Sequence, residues 1–314
     1  LTLRGAWCFD HAYYGADSPA LDTTPWTVFG GVPSRLFIPL DASLWWYGAT
    51  YSPLAFGTSG ATNPFDQILP SATPPSSGQC WFYFPVKVTT LNTVGDTNEI
   101  FYSQGDPNAG LPTGAVVLSV LEGSETQYGF SLRTQGDGSA SESTTARNKD
   151  TIYWLCIEID YTASPKTVKL FVDGSASAAV SLNSTNTPVV GLPRLGNNHV
   201  SGKGSGIVFS TEEFIVNDSD GTENNTKFGY TSAASSTHCI SAYGISDVAG
   251  DFLAQGLNCG TDLFRAICDP AFVNTQANDY INVTPDAAAK SQWFLVDEFS
   301  GATIRGVYIA AASE

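Results

Sequence analysis

Two carboxylates stand two residues apart in Glu158-Ile159-Asp160, at the end of an apolar run. Along an extended strand such positions share a face, so the pair could supply an acid and a nucleophile. Retaining glycoside hydrolysis needs those two groups about 5–5.5 Å apart. The solvated end of a half-buried strand has the same pattern, and that reading is the expected one. Asp218-Ser219-Asp220-Gly221-Thr222-Glu223-Asn224 is rich in oxygen, which makes Asp218, Asp220 and Asn224 the candidate ligands for a calcium ion. An EF-hand loop requires alternate ligands, Gly at its sixth position and a distal bidentate Glu. This spacing differs, and a tight turn is the competing reading. The glycine-rich stretch 196–206 places Gly204 after Lys203, where a P-loop requires Ser or Thr. A flexible loop is expected there. The three histidines are His11, His199 and His238, and no Gly-x-Ser-x-Gly elbow supports a hydrolase triad. Cys8/His11 and His238/Cys239 are separated half-motifs, unlike the paired cysteines of a structural zinc site. Trp45-Trp46-Tyr47 must expose a ring if it forms a one-faced strand. An exposed ring could stack on a sugar or anchor a subunit interface. Trp45, Trp46 and Tyr47 are therefore the candidate carbohydrate-binding residues, with the interface reading weighted above the sugar. No cofactor is expected, with the tight turn weighted above a calcium site at Asp218, Asp220 and Asn224, and no catalytic residue is assigned.

The elements that position these residues read as strands. The chain has 314 residues, with 14 Lys+Arg against 30 Asp+Glu, for a formal net charge of −16. That balance argues against clothing nucleic acid phosphates. No apolar run approaches the ~20 residues that span a bilayer. Charged residues make up only 14%, too few for a long helix or coiled coil, while 42% hydrophobic residues exclude a disordered chain. Polarity comes instead from Ser, Thr, Asn and Gly, as in a β-rich protein with many turns. The opening Leu1-Thr2-Leu3 has neither initiator Met nor a signal-peptide core, so processing or an incomplete start is expected. Of the six cysteines, Cys259 and Cys268 form the most plausible bridge, and Cys156 reads as a buried thiol. The glycosylation sequons at Asn183, Asn217, Asn224 and Asn282 are what chance supplies in such a composition.

After a loop over 57–79, strands are expected at 80–91, 99–103, 115–121, 127–133, 151–161, 166–172 and 207–216. Strands succeeding strands mean an antiparallel sandwich or barrel. The clearest hairpin is 151–174. Tyr153, Leu155, Ile157 and Ile159 alternate on one face, and Val168, Leu170 and Val172 answer from the return strand. Asp173-Gly174 closes it as a turn.

This hairpin, Asp150 to Asp160 followed by Lys166 to Gly174, resembles the central hairpin of laminin-G and concanavalin A-like jelly rolls. Glu212 to Asp218 is similar to their closing strand. The resemblance implies an all-β, concanavalin A-like antiparallel jelly-roll sandwich over residues 1–230, with a smaller β-rich C-terminal extension over 231–314. Glu158-Ile159-Asp160 resembles the first half of the retaining β-glucanase signature. The second Glu should follow Asp160 by about four residues, and Ser164-Pro165 stand there instead.

A narrower resemblance, to tailed-phage virion proteins that carry such a jelly roll, covers nearly the whole chain. Cys8-Phe9-Asp10-His11, Trp26, Asp218 to Gly221 with Asn224-Asn225, Asn278 to Ile281, and Ile304 to Ile309 match its motifs in order. Lys227-Phe228-Gly229-Tyr230 departs from the family's leucine-glycine-aspartate segment, and no basic tail follows the last strand. The resemblance implies a non-enzymatic structural protein on the outer surface of a phage-like particle, as capsid decoration or a tail or fibre component. Its partners would be other virion proteins and copies of itself, in a homo-oligomer or lattice. A lectin-like module that binds a host-surface glycan is the alternative, and a glycoside hydrolase ranks below it. Neither nucleic acid nor a membrane span is expected.

Overall fold

A computed structural model describes residues 77–91, 98–104, 111–195, 207–232 and 236–237 with their side chains, single positions excepted, and further strands by backbone alone. Among the described residues every regular element is a strand. Two antiparallel sheets form a β-sandwich. The first runs in the order β1 (Leu3–Cys8), β16 (Glu213–Asp218), β5 (Gln79–Thr90), β11 (Ile152–Asp160), β12 (Lys166–Val172) and β13 (Val180–Ser184). Beside this path, β15 (Val208–Thr211) joins β5 to β3 (Leu54–Gly57). The second sheet runs β10 (Arg147–Asn148), β8 (Gln127–Thr134), β7 (Val116–Glu122), β6 (Thr97–Tyr102), β14 (Arg194–Leu195), β4 (Phe65–Ile68) and β2 (Trp26–Phe29). A short strand, β9 (Ala140–Glu142), also pairs with β8. Neighbours distant in sequence, such as β16 beside β5, give the crossing connections of a jelly roll.

The interior follows from alternation. Phe82 and Phe84 of β5 meet Phe101 of β6 at ring-centroid distances of 5.2 and 5.5 Å, and Phe214 of β16 stacks on Phe84 at 5.8 Å. Leu118, Val120, Phe130 and Leu132 complete the layer with no exposed surface. The expected hairpin forms, with Ile157 opposite Leu170 and Ile159 opposite Val168. The two strands are joined through residues 161–165, and the turn that follows β12 has positive φ at both central residues, Asp173 (52°) and Gly174 (67°), with Ser175 N–H donating to Val172 O at 3.1 Å. That is a type I′ turn, the form whose twist matches flanking strands. Two expectations change. The single strand expected over 207–216 is two, β15 and β16, which pair with different stretches of β5. The strand β13 was not expected, because its sequence Val180-Ser-Leu-Asn-Ser184 alternates weakly within a Ser-rich stretch.

At the edge where β13 approaches β8, Asp137 ties the sheets together. Its carboxylate accepts hydrogen bonds from Ser184 Oγ (2.8 Å), Thr185 N (3.1 Å), Asn186 N (3.0 Å), Thr185 Oγ1 and Asn186 Nδ2. Partial burial pushes this carboxyl's pKa up, and the bonds from Thr185, Ser184 and Asn186 outweigh it, so the group sits below its ordinary value.

The chain divides into two compact units, one of Leu1–Ala12 with Ala20–Cys239, which holds the sandwich, and one of Tyr13–Pro19 with Ile240–Glu314. Within the second, β17 (Gly244–Gly250) pairs with β20 (Gln292–Val296), and β18 (Leu253–Gln255) pairs with β19 (Tyr280–Asn282). No helix among the described residues is long and apolar enough to cross a membrane.

Candidate functional site

The side of the first sheet that faces away from the sandwich interior carries Glu158, Asp160 and Cys156 among the residues singled out from the sequence. Residues two apart along β5 and β11 bring Trp81, Tyr83, Trp154 and Cys156 to it, and β12 and β16 add Phe171 and Ile215. All are buried, covered by the stretch that follows β16 through Phe228 and Tyr230. Phe228 stacks on Tyr83 at 5.5 Å, while Tyr230 meets Trp154 edge-on at 5.2 Å.

Polar bonds fix this covering segment. Phe228 N–H donates to Tyr83 Oη at 2.9 Å, and Tyr230 O–H donates to Glu213 Oε1 at 2.8 Å. Asn217 Nδ2 donates to the carbonyls of Asn224 and Thr226, both at 2.9 Å. The Lys227 ammonium lies 3.4 Å from the Phe171 ring centroid, a cation–π contact. A Cβ at Gly174 would collide with Thr231 Cγ2, so the turn's glycine also makes room for the segment. Burial raises the Tyr83 hydroxyl and the Cys156 thiol well above their ordinary values. Cys156 is thus the inert buried thiol the sequence suggested.

Glu158 and Asp160 share this face, and strand register explains their partners. Glu158 stands directly opposite Trp81 on β5 and Lys169 on β12. It accepts from Trp81 Nε1 at 3.0 Å and pairs with Lys169 Nζ at 3.3 Å. At 7% exposure Glu158 is buried, which corrects the expectation of a solvated strand end. The correction comes from Trp81 and Lys169 on the flanking strands, which alternation within one strand does not reveal. Asp160 is partly exposed, and it accepts from Gln79 Nε2 (3.2 Å), Thr162 N (2.8 Å) and Thr162 Oγ1 (2.6 Å). Burial raises its pKa, and the bonds from Thr162 and Gln79 lower it further than burial raises it. Both carboxylates act as cross-strand and turn anchors.

Asp218, Asp220 and Asn224 lie within one turn. Asp218 is wholly buried, and its Oδ1 accepts from Asp220 N at 3.0 Å, while Asp220 is exposed. Asn224 turns back with φ 55°, and its carbonyl is one of the two that Asn217 grips. Among the described residues no three His, Cys, Asp or Glu side chains converge as a metal ligand set. Trp45, Trp46 and Tyr47 lie outside the described residues, as do Cys259, Cys268 and the glycine-rich stretch 196–206. Every aromatic side chain that is described is buried.

Sequence reasoning missed the covering segment. Its signal was Phe228-Gly229-Tyr230, two rings spaced to share a face of an extended chain, which stood out only as a departure from a family motif. It also missed the second sheet's polar patch. There Glu99 binds the Arg133 guanidinium and the Tyr102 hydroxyl, and Asn98 Nδ2 donates to Glu122 Oε1 at 2.8 Å.

No protein-family model matches the chain, and a search of the curated proteins finds no relative. Solved structures that match include one of botulinum neurotoxin type C, whose description links cell entry to interaction with two ganglioside molecules. It is 9% identical, with a TM-score of 0.40, covering 61% of this chain and 43% of that one. The receptor binding domain of botulinum neurotoxin D is 10% identical, with a TM-score of 0.39, covering 61% and 44%. The binding domain of botulinum neurotoxin DC in complex with rat synaptotagmin II is 8% identical, with a TM-score of 0.38, covering 61% and 42%. This chain spans less than half the length of each of these neighbours. At such identities and scores they assign it no ligand and no activity.

Proposed function

We propose that the chain is a non-enzymatic structural component of a phage-like particle, acting through protein–protein interfaces at the particle's outer surface. One observation carries the non-catalytic part. The carboxylates that could have formed a hydrolytic pair, Glu158 and Asp160, are spent on Trp81, Lys169, Gln79 and Thr162. A nucleophile needs an open approach, and Glu158 has none. The ordered set of motifs from Phe9-Asp10-His11 to Ile304–Ile309 supports the particle assignment. Scarce charge, at 14% of residues, suits a module that packs against neighbours rather than one that stays dispersed.

The test is gradient purification of particles from the source culture, followed by quantitative mass spectrometry. The chain should co-purify at a fixed stoichiometry well above one copy per particle. Recovery only as a soluble species, absent from particles, would overturn the assignment.

A further inference from the structure

We propose that Cys8, His11, His238 and Cys239 form a zinc site that ties the first strand of the sandwich to the end of the covering stretch. The chain holds three histidines and six cysteines, and two of those histidines stand within three residues of a cysteine. Cys8 and His11 are separated by two residues, a gap usual between zinc ligands. In the sequence the rest of the sandwich lies between them and His238-Cys239, and the fold removes that separation. The inference stands independently of the particle assignment above.

Cys8 is the last residue of β1, at the end of the first sheet's strand order, and its register partner on β16 is Glu213. Glu213 is the residue whose carboxylate accepts from the Tyr230 hydroxyl at 2.8 Å. Next to Tyr230, the Gly229 carbonyl accepts from Thr237 N–H at 3.1 Å. Ser236 Oγ bonds Thr231 N and Thr231 Oγ1 at 3.1 and 2.7 Å. These bonds bring the chain back against the covering segment at Thr237, immediately before His238-Cys239. A run of contacts therefore leads from Cys8 through Glu213, Tyr230 and Gly229 to Thr237. His11, His238 and Cys239 themselves lie outside the described residues, and covalent reach bounds their positions. At roughly 3.3–3.6 Å per residue, His11 stands within about 11 Å of Cys8, and Cys239 within about 7 Å of Thr237. Both half-motifs belong to the same compact unit, which takes in Leu1–Ala12 and Ala20–Cys239.

The pairing of residue types selects the ligand. A disulfide between Cys8 and Cys239 would use two sulfurs and leave both histidines without a part. Zinc uses all four, because two thiolates and two imidazoles complete the closed tetrahedral shell of a structural site. The two thiols release their protons to solvent as they bind. Among the described pairings β1 has β16 as its one neighbour, so a metal held at Cys8 fastens the outermost strand at its end.

The test uses the untagged full chain, supplied with zinc and then freed of excess. Elemental analysis should find zinc equimolar with the chain. Cobalt put in its place should show a thiolate charge-transfer band together with the intense visible bands of a tetrahedral site. Chelation of the native chain, followed by alkylation and peptide mapping, should newly label Cys8 and Cys239, while the buried Cys80 and Cys156 stay unlabelled. Cys8→Ser and His238→Gln should each lose the zinc, and His199→Gln should keep it. A chain without bound metal, a Cys8–Cys239 disulfide in the unreduced map, or labelling confined to Cys259 and Cys268 would each overturn the proposal. Where a variant does not fold, the cobalt spectrum and the labelling of the unaltered chain decide.

Discussion

At the scale of single residues, the groups with the most chemical promise turn out to be fasteners. Glu158 would be an attractive nucleophile if Trp81 and Lys169 did not flank it in register. Asp137 does at a turn what Glu158 does within a sheet. Because its folded pKa lies below the ordinary value, its contribution to stability is complete above the unfolded value of about 3.9. That contribution is lost as pH falls through the folded value. Replacing Asp137 with Asn should flatten the acid limb of a stability profile measured by urea midpoints between about pH 5 and pH 2. An unchanged profile would mean the carboxylate does not fasten the two sheets. Gly174 is the second residue-scale test. It has φ 67°, and a Cβ there would strike Thr231. Gly174→Ala should lower the unfolding free energy by about 1–3 kcal/mol with the m-value unchanged.

At the scale of elements, the centre of the first sheet, along β5, β11 and β16, is buried on both faces, one against the second sheet and one beneath the covering segment, while β13 is exposed on one face. Tyr83→Phe removes the acceptor for Phe228 N–H and should cost about 1–3 kcal/mol, with faster hydrogen exchange at Phe228. Phe228→Ala should cost about 3–5 kcal/mol, the usual range for a buried ring, and should leave the cross-sheet core around Phe101 intact by near-ultraviolet circular dichroism. The strands were legible because period-two alternation and Asp-Gly turns act locally. The hairpin at 151–174 needed nothing else, and Lys166–Val172 is found with the bounds read from sequence. The covering segment was not legible. Its two rings bury only because β5 and β11 bring Trp81, Tyr83 and Trp154 into place, and those partners lie between about 70 and 150 residues away. The break between β15 and β16 escaped for the same reason, since it is set by what each strand pairs with on β5. The solvated end expected at Glu158 failed because the pattern of one strand does not reveal that Trp81 and Lys169 stand opposite it on the strands to either side.

At the scale of the whole molecule, a chain with 30 Gly, 17 Pro and only 14% charged residues has the composition of strands joined by turns, its polarity carried by neutral side chains. The described aromatic rings are buried either between the two sheets or beneath the covering segment. The central claim is that this chain recurs as a surface component of a phage-like particle. A cryo-electron microscopy reconstruction of the purified particle tests it most directly. The account predicts sandwich-shaped density repeated in symmetry-related copies on the outside of the head, tail or fibre, into which the two sheets fit. A particle whose outer surface is fully explained by other proteins would contradict it.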